Sequence, residues 1–393
     1  MVHARPEGSG LSGARLELRV VERIRDIPED AWNALVREDS SPFVEHAWLS
    51  CLEEAGCTGA AAGWLPRHLA LYDGKDLVAA APAYLKTNSE GEFVFDWSWA
   101  DLAHRMGLDY YPKLILAVPF TPASGHRVLW HPTRDRGETV AIFAQATRTL
   151  VSELGLSSAH VLFPNEDEAR MWSDAGFTVR HGVQYHWHNR PDRPFASYED
   201  FLTTLPSKKR TQIRRERKQP AMDGVTIQTL RPEELTEDVA DTMYELYLTT
   251  VDKYFYGRRY LKRKFFQLVR TRFADRLAWV VAKKDGHIVA SAFNVKKGDT
   301  LYGRYWGTTV DLPFLHFNVC YYHGVDEAIR EGLARFNPGA GGEHKKVRGF
   351  VPTKTFSAHH VEDARFRAIL DAHLTRERAA IDAYVASGGK DDD

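Results

Sequence analysis

The sequence has few cysteines, no long apolar run and no apolar segment near its start. Its three cysteines, Cys51, Cys57 and Cys320, form no C-x-x-C pair and are odd in number. This excludes a complete disulfide framework and argues against a zinc site. No stretch approaches the roughly 20 consecutive apolar residues that cross a bilayer. The opening MVHARPEGSGLSGAR has no apolar signal core. We therefore expect a cytoplasmic protein without a transmembrane segment.

The chain also has almost no net charge. Its 52 Lys and Arg residues balance 53 Asp and Glu residues, for a formal charge of -1, so bulk charge does not attract it to nucleic acid. Any polyanion must be bound locally. With 44% hydrophobic and 12% aromatic residues, the 393-residue chain can form a buried core. Its length predicts two or three domains at roughly 150 residues each.

The apolar patterns follow the same order twice along the chain. Each half begins with an alternating strand and two helical segments, and continues with a hairpin that turns at Gly74 or at Asp285-Gly286. Strands and helices alternate after each hairpin, so the sequence predicts two similar α/β domains. The predicted boundaries are a disordered tail at 1–14, an N-terminal domain at 15–194, a basic helical linker at 195–224, a C-terminal domain at 225–385 and a polar tail at 386–393.

The predicted linker contains the densest charge run of the chain, SKKRTQIRRERK. Seven cations accompany a single acid, Glu216. The cations are Lys208, Lys209, Arg210, Arg214, Arg215, Arg217 and Lys218. Such a run can be the solvated face of a linker helix. It would be self-repulsive without an anionic partner, which favours a site for phosphates.

The order of elements resembles that of the GNAT superfamily of N-acyltransferases, and two such halves resemble the Fem-type peptidoglycan aminoacyltransferases. Four long blocks are similar to signatures of the bacterial FemAB-like N-acyltransferase family. They are the segments 91–129, 197–218, 315–350 and 355–360. The resemblance implies two tandem GNAT-like domains with mixed central sheets flanked by helices. It also implies amide formation by acyl transfer, with aminoacyl-tRNA as the donor in Fem-type enzymes.

The stretch PGAGGEHK at 338–345 concentrates groups that acyl transfer requires. The reaction needs a neutral amine and donors directed at the developing oxyanion. Glu343, His344 and Lys345 offer an acid/base pair and a cation, while Gly341 and Gly342 allow close approach of the backbone to a ligand. The alternative is a glycine-rich turn beside a surface helix.

A second candidate lies in the block FDWSWAD. Alternation would place Trp97 and Trp99 on one face of a strand and Asp96 on the other, which suits an aromatic cleft that positions an amine. Packing of the tryptophans in the core is the alternative. Further residues predicted to line the same cleft are Tyr110, Tyr111 and Lys113.

Two loops bear on the choice of acyl donor. In PFTPASGHR, Gly125 and Arg127 could hold the pyrophosphate of coenzyme A, as GNAT enzymes do after a central strand, or form a plain turn. The corresponding place in the second half, after YGRYWGTT, has no R-x-x-G-x-G/A pattern, which weakens the case for acyl-CoA there. On that strand, Arg304 is the candidate for an electrostatic role and Trp306 for substrate contact. His316, in a signature block, is more typical of a structural histidine.

The leading hypothesis is an N-acyltransferase that moves an aminoacyl group from aminoacyl-tRNA to an amine of a peptide, a peptidoglycan precursor or a small metabolite. Asp96 or Glu343 would accept the proton of the amine, and His344, Lys345 and Arg304 would stabilise the oxyanion or the leaving oxygen. The basic run would bind tRNA, and no metal or tightly bound cofactor is expected. Acyl-CoA is the alternative donor. A non-catalytic protein that binds a cell-wall fragment or RNA is the second alternative.

Overall fold

The computed structural model describes residues 16–253 and 258–389, so the predicted tail at 1–14 lies outside the described residues. Two compact units form. Unit 1 contains the described residues up to Val183 together with Lys354–Ser387, and unit 2 contains Gln184–Thr353 with Gly388 and Gly389. The described helices include none that is long and apolar enough to span a membrane.

Unit 1 is a mixed α/β unit whose strands form two sets. Strands β1, β3, β4 and β7 pair in that order, all antiparallel. In the second set the order is β2, β5, β6, β8, β15, and only β6 and β8 are parallel. The elements in chain order are β1 (Leu16–Val21), α1 (Glu29–Asn33), α2 (His46–Glu54), β2 (Trp64–Pro66), β3 (His68–Asp73), β4 (Asp76–Ala81), β5 (Ala83–Lys86), α3 (Trp97–Arg105), β6 (Lys113–Leu116), β7 (Leu129–Trp130), α4 (Arg136–Glu153), β8 (Ser158–Leu162), α5 (Glu166–Asp174) and β9 (Thr178–His188), with β15 (Val351–Val361) and α12 (Ala364–Ala386) from the end of the chain.

Unit 2 repeats the mixed α/β plan, and all of its helices and strands lie before residue 354. Its strands pair in the order β10, β11, β12, β13, β14, β9, and only β13 and β14 are parallel. The elements are α6 (Tyr198–Leu202), α7 (Ser207–Met222), β10 (Val225–Thr229), α8 (Glu237–Val251), α9 (Arg263–Arg272), β11 (Val280–Lys284), β12 (His287–Lys297), β13 (Thr300–Thr308), α10 (Leu315–Phe317), a π-helical segment (Asn318–Tyr322), α11 (His323–Arg330), β14 (Arg335–Asn337) and a 3-10 helix (Glu343–Arg348).

Local chemistry explains the predicted hairpin of unit 2. Asp285 and Gly286 both have positive φ, 51° and 81°, which a two-residue turn between twisted strands requires. The following strand pair positions the site. The pairing of β13 with β14 ends at Tyr302 and Asn337, whereas β13 continues to Thr308. A Cβ on Gly303 would come within 3.2 Å of the Cα of Pro338, so a side chain here would press on the segment that follows β14.

The unit boundaries differ from the predicted domains at the end of the chain. The predicted C-terminal domain ran from 225 to 385, yet residues from Lys354 to Ser387 belong to unit 1. The reason is long-range pairing, because Ser357–Val361 of β15 pairs with β8. The apolar residues of α12 then pack in one cluster with Trp99 and Tyr110, and they are Phe366, Leu370 and Leu374. The predicted linker at 195–224 lies in unit 2 as α6 and α7.

Candidate functional site

A cavity of about 210 Å³ opens in unit 2 where β13 extends beyond β14. Strand β13, helix α8, the helical turns after Phe314 and the segment after β14 all contribute to its wall. The rings and cations that line it are Tyr247, Tyr305, Trp306, His316, Tyr321, Arg304 and Lys345. Among the described lining residues there is no Asp or Glu. The cavity is therefore aromatic and electropositive, which suits a planar group with developing negative charge.

Lys345 is the buried cation of the cavity, with 2% of its surface exposed. It lies on the 3-10 helix that begins after Gly342, whose φ of 86° permits the turn. Its Nζ donates to the carbonyl oxygens of Gly339 at 2.8 Å and Ala340 at 3.3 Å. Burial lowers the pKa of Lys345 to about 8, and the charge of Arg304 acts in the same direction. The ammonium is thus charged at neutral pH but close to releasing a proton.

Arg304 supplies the second cation from β13. Its Nε and Nη1 atoms are buried, and its guanidinium carbon lies 6.0 Å from the ring centre of Tyr305. Burial lowers the pKa of Arg304 from its usual value, but a guanidinium stays protonated in proteins. Arg304 and Lys345 thus line the same cavity. Sequence reasoning selected both residues, together with Trp306.

His316 lines the cavity, and His344 contacts the lining residue Tyr321 from outside the described cavity wall. Burial lowers the pKa of His316 to about 4, and neighbouring His344 and Arg348 reinforce the shift. Its ring centre lies 4.6 Å from that of Trp306. His344 is exposed, with Nε2 3.0 Å from the hydroxyl of Tyr321, and burial and Lys345 lower its pKa. Sequence reasoning classed His316 as structural; its place in a signature block was the only signal for a site.

Glu343, Gly341 and Gly342 of the 338–345 stretch do not have the roles that the sequence predicts. Glu343 is exposed and lies outside the described cavity wall, so it is poorly placed to act as a general base there. Gly341 and Gly342 have φ of 69° and 86° and shape the turn that brings Lys345 inward. Neither glycine lines the described cavity wall, so their main chain does not approach a ligand there as expected.

In unit 1, four of the predicted cleft residues do come together, but as a buried polar cluster. Lys113 forms an ion pair with Asp96, and its Nζ also donates to Glu92 at 3.0 Å. The hydroxyl of Tyr110 donates to Asp96 at 2.6 Å, and that of Tyr111 lies 2.6 Å from Ser89. Burial opposes ionisation of Asp96, yet the charge of Lys113 outweighs it and lowers the pKa. Asp96 is thus an ionised carboxylate already engaged by two donors.

The strand predicted for FDWSWAD is wrong. These residues start helix α3, with Asp96 at its N-cap position. The alternation covers only three residues, whereas the following ADLAHR favours a helix. Trp99 and Ala103, four residues apart, are buried on one face. Trp97 is 57% exposed, so the two tryptophans do not form one wall.

The predicted phosphate loop at 119–127 does not fit its assigned role either. Arg127 is fully buried, and its guanidinium donates to the carbonyl oxygens of Leu162, His126 and Ala123. Gly125 is likewise buried and forms a β-bridge with Pro164. A guanidinium that binds three main-chain carbonyls inside the core is not presented to a pyrophosphate, which sequence alone could not reveal.

The basic run forms most of helix α7, and only part of it faces solvent. Arg210 donates to the carbonyl of Leu205 at 2.8 Å, Arg217 pairs with Asp326, and Arg214 pairs with Glu199 at 2.7 Å. Lys209 is half-buried. The remaining exposed cations follow helical spacing along one face, which we call the basic stripe. Its members are Lys208, Arg215 and Lys218. Of the other cations, Arg210, Arg214 and Arg217 already have partners within unit 2.

Comparison with known proteins identifies relatives at the level of family and fold. A family model named FemAB-like, described as peptidoglycan biosynthesis/recognition, matches residues 23–391. No curated protein is significantly similar in sequence. The C-terminal domain of a protein described as a lysylphosphatidylglycerol synthetase, from Agrobacterium fabrum, is 12% identical with a TM-score of 0.53, over 88% of this chain and 95% of that one.

A second solved structure is similar to the same extent. FemX is 11% identical with a TM-score of 0.53, over 88% of this chain and 98% of that one. A tandem GNAT protein from the clavulanic acid biosynthesis pathway is 11% identical with a TM-score of 0.45, over 88% and 98%. The predicted fold class, two units of mixed α/β structure, is confirmed, and FemX and the Agrobacterium fabrum domain share the fold.

Proposed function

Because the chain belongs to the FemAB-like family, we propose that it is an N-acyltransferase that forms an amide bond on an amine of a peptidoglycan-related acceptor. The family description and the tandem GNAT-like fold support a transferase of this class. One observation carries the proposal further. Arg304 and Lys345, two cations, line one aromatic cavity of unit 2 at the point where β13 and β14 separate.

The chemistry follows from these two cations. A neutral amine attacks the carbonyl carbon of an activated ester, and the carbonyl oxygen becomes an oxyanion. Arg304 and Lys345 donate to that oxygen, and their buried charged groups make such donors more effective than they are in water. A C–N bond forms, the ester C–O bond breaks, the amine loses a proton and the leaving oxygen gains one. With a pKa of about 8, Lys345 is suited to supply the latter proton.

The group that accepts the proton of the amine differs from the one in the sequence hypothesis. Glu343 lies outside the described cavity wall, and Asp96 is held by Lys113 and Tyr110 within unit 1. We therefore attribute the rate acceleration to the binding energy of the site and not to a carboxylate base at this cavity. The amine then enters the unit 2 cavity as the free base, and after its attack on the ester it loses a proton to solvent.

For the acyl donor we favour aminoacyl-tRNA over acyl-CoA. The basic stripe of Lys208, Arg215 and Lys218 on α7 can bind phosphates of the nucleic-acid backbone. The six residues between β13 and α10, 309–314, contain no glycine, whereas a pyrophosphate loop needs close main-chain approach. Residue Phe314 ends this loop with a φ of 60°. These features support the tRNA donor and weigh against a coenzyme A loop in unit 2.

The proposal is tested with purified protein, tRNA charged with labelled amino acids, and a pool of peptidoglycan-precursor peptides. We expect label in an amide product that survives mild alkali, in contrast to the ester of charged tRNA. Turnover of an acyl-CoA panel, with none from any charged tRNA, would replace the donor. Binding of the acceptor without turnover of either donor would favour a recognition protein instead.

A matched pair of variants connects that test to the cavity. Lys345→Met removes one of the two cations of the cavity, while Lys346→Met changes the next residue of the same 3-10 helix. The Nζ of Lys346 bonds to the carbonyl of Gly389, and Lys346 lies outside the described cavity wall. We expect only the first variant to lose turnover. Equal loss in both would indicate that the helix, and not the cation, is needed.

A further inference from the structure

The basic helix α7 contains one acid, and that acid is its most deeply buried charge. Glu216 is 2% exposed. Its Oε2 accepts from Nη2 of Arg348 at 3.0 Å and from the hydroxyl of Tyr322, and its Oε1 accepts from Nε2 of Gln212 at 2.8 Å. Arg348 is 4% exposed. A buried ion pair with these additional hydrogen bonds defines one geometry, because breaking it would leave a charge without compensation.

Arg348 extends this network to the segment that contains Lys345. It is the last residue of the 3-10 helix Glu343–Arg348, and its Nη1 donates back to the carbonyl oxygen of His344 at 2.7 Å. Its guanidinium carbon lies 3.3 Å from the ring centre of Phe317. One guanidinium thus binds the start of the 3-10 helix, the turns after Phe314 and helix α7.

The main chain of α7 contributes a second connection. Asn318, which is 6% exposed, donates through Nδ2 to the carbonyl oxygen of Glu216 and to that of Phe314, both at 2.9 Å. Asn318 begins the π-helical segment that also contributes Cys320 and Tyr321 to the cavity wall. Glu216 therefore contacts the 3-10 helix that contains Lys345 through its side chain, and the π-helical segment of the cavity wall through its main chain.

We propose that Glu216 is a positioning residue for Lys345, acting through Arg348 to hold the 3-10 helix so that the lysine faces the cavity. This inference rests on the proposed function, since it concerns the orientation of the cation at the oxyanion. The inference also gives helix α7 a second role. The helix whose basic stripe would bind the phosphates of the donor also fixes the position of the catalytic cation.

The test is a double-mutant cycle with a readout that needs no substrate. Glu216→Gln and Arg348→Gln are made singly and together, and the acetylation rate of Lys345 by trace anhydride is followed by mass spectrometry as a function of pH. Lys345 faces Arg304, Cys320, His316 and Tyr321 within the cavity. In the native protein we expect a titration midpoint near 8. In each single variant the midpoint should rise, because a loosened helix admits water to the ammonium.

Kinetics give the second readout. A misplaced cation should reduce kcat by roughly tenfold to a hundredfold, with KM for the donor little changed. The double variant should be no worse than the more affected single variant, since both changes break one connection. Arg231→Gln is the matched control, because it breaks an exposed pair with Glu233 elsewhere in unit 2 and should leave both readouts unchanged.

The outcomes separate this inference from the proposed function. If Glu216→Gln folds and keeps both the midpoint and kcat, the inference is overturned. If a single variant does not fold, the double variant and Tyr322→Phe, which removes one hydrogen bond to Glu216, answer the same question. A shifted midpoint in a protein with no acyl transfer at all would support the positioning role and reject the proposed function.

Discussion

Lys345 sets an upper pH limit on the proposed reaction. Its buried ammonium has a pKa lowered to about 8, and the charged form stabilises an oxyanion much more strongly than the neutral amine does. We expect kcat to fall as pH rises through about 8. Lys345→Arg should abolish that decline, because a guanidinium remains protonated. Lys345→Met should lose about 10²- to 10³-fold in kcat. The measurement is a pH profile of kcat for the three proteins.

An unchanged alkaline limb in Lys345→Arg would contradict this assignment. The limb would then belong to another group or to the substrate. Residual activity of the arginine variant at neutral pH serves as the internal control, since it shows that the altered side chain is tolerated in the cavity.

A buried histidine pair in unit 1 makes a separate prediction about stability. Nδ1 of His160 lies 2.7 Å from Nδ1 of His359, and their outer nitrogens lie 2.9 Å and 2.8 Å from the hydroxyls of Ser158 and Ser357. Burial lowers the pKa of both rings well below the usual value. The folded protein therefore holds them neutral, whereas the unfolded chain binds protons below about pH 6.5.

The sign follows from proton linkage. Stability is fully present above the unfolded pKa and is lost as pH falls below it, by about 1.4 kcal/mol per pH unit for each such histidine. Urea unfolding from about pH 7 to about pH 5 should show this slope. His160→Asn should lessen it by one histidine's share, while His104→Gln, at an exposed position, should not. Equal slopes in all three proteins would refute the linkage.

Helix α7 is the element on which donor specificity depends. Replacing the basic stripe, Lys208, Arg215 and Lys218, by Gln should weaken binding of tRNA without altering the cavity. Each lost phosphate contact should flatten the slope of log affinity against log salt by about 0.7–0.9. Binding is measured at several salt concentrations. A triple variant of three exposed arginines of unit 1, Arg19, Arg105 and Arg170, removes the same charge elsewhere.

If both triple variants flatten the slope of log affinity against log salt equally, the basic stripe has no specific role in tRNA binding and only the total charge of the protein matters. The exposure of the three stripe residues argues against a general folding defect as the source of a difference, because surface changes typically alter stability by less than about 0.5 kcal/mol.

At the level of elements, sequence reasoning succeeded where the signal is local. The turn at Asp285-Gly286 has the two positive φ angles that Asp-Gly favours. It failed at Trp97–Arg105, where three alternating residues at the start of α3 imitated a strand. Helix α12 was not predicted, although Phe366, Leu370 and Leu374 share the helical spacing of one buried face. An alternation of three residues does not distinguish a strand from the start of a helix, whereas an apolar period sustained over several turns identifies a helix.

At the level of the whole molecule, the fold was accessible from the repeated order of elements, but the site was only partly so. Arg304, Trp306 and Lys345 converge because β13 and the segment after β14 lie side by side. Nothing local in the sequence distinguishes the buried Lys345 from the exposed Glu343 two residues before it. The sequence around Arg127 likewise favours a phosphate ligand, whereas in the structure its guanidinium binds main-chain carbonyls. Burial and pairing between distant segments decide such roles.

The discontinuous course of unit 1 leads to a prediction about folding. The predicted first domain, residues 15–194, lacks β15 and α12, and so lacks the pairing partner of β8 and the apolar residues that cover Trp99 and Tyr110. A fragment that ends at Val183 exposes that strand edge and that apolar cluster, and we expect no cooperative unfolding transition from it. Fusing residues 354–387 through a flexible linker should restore the transition. Circular dichroism during thermal unfolding measures both, and a fragment that unfolds cooperatively without the added segment would show that β15 and α12 are dispensable to unit 1.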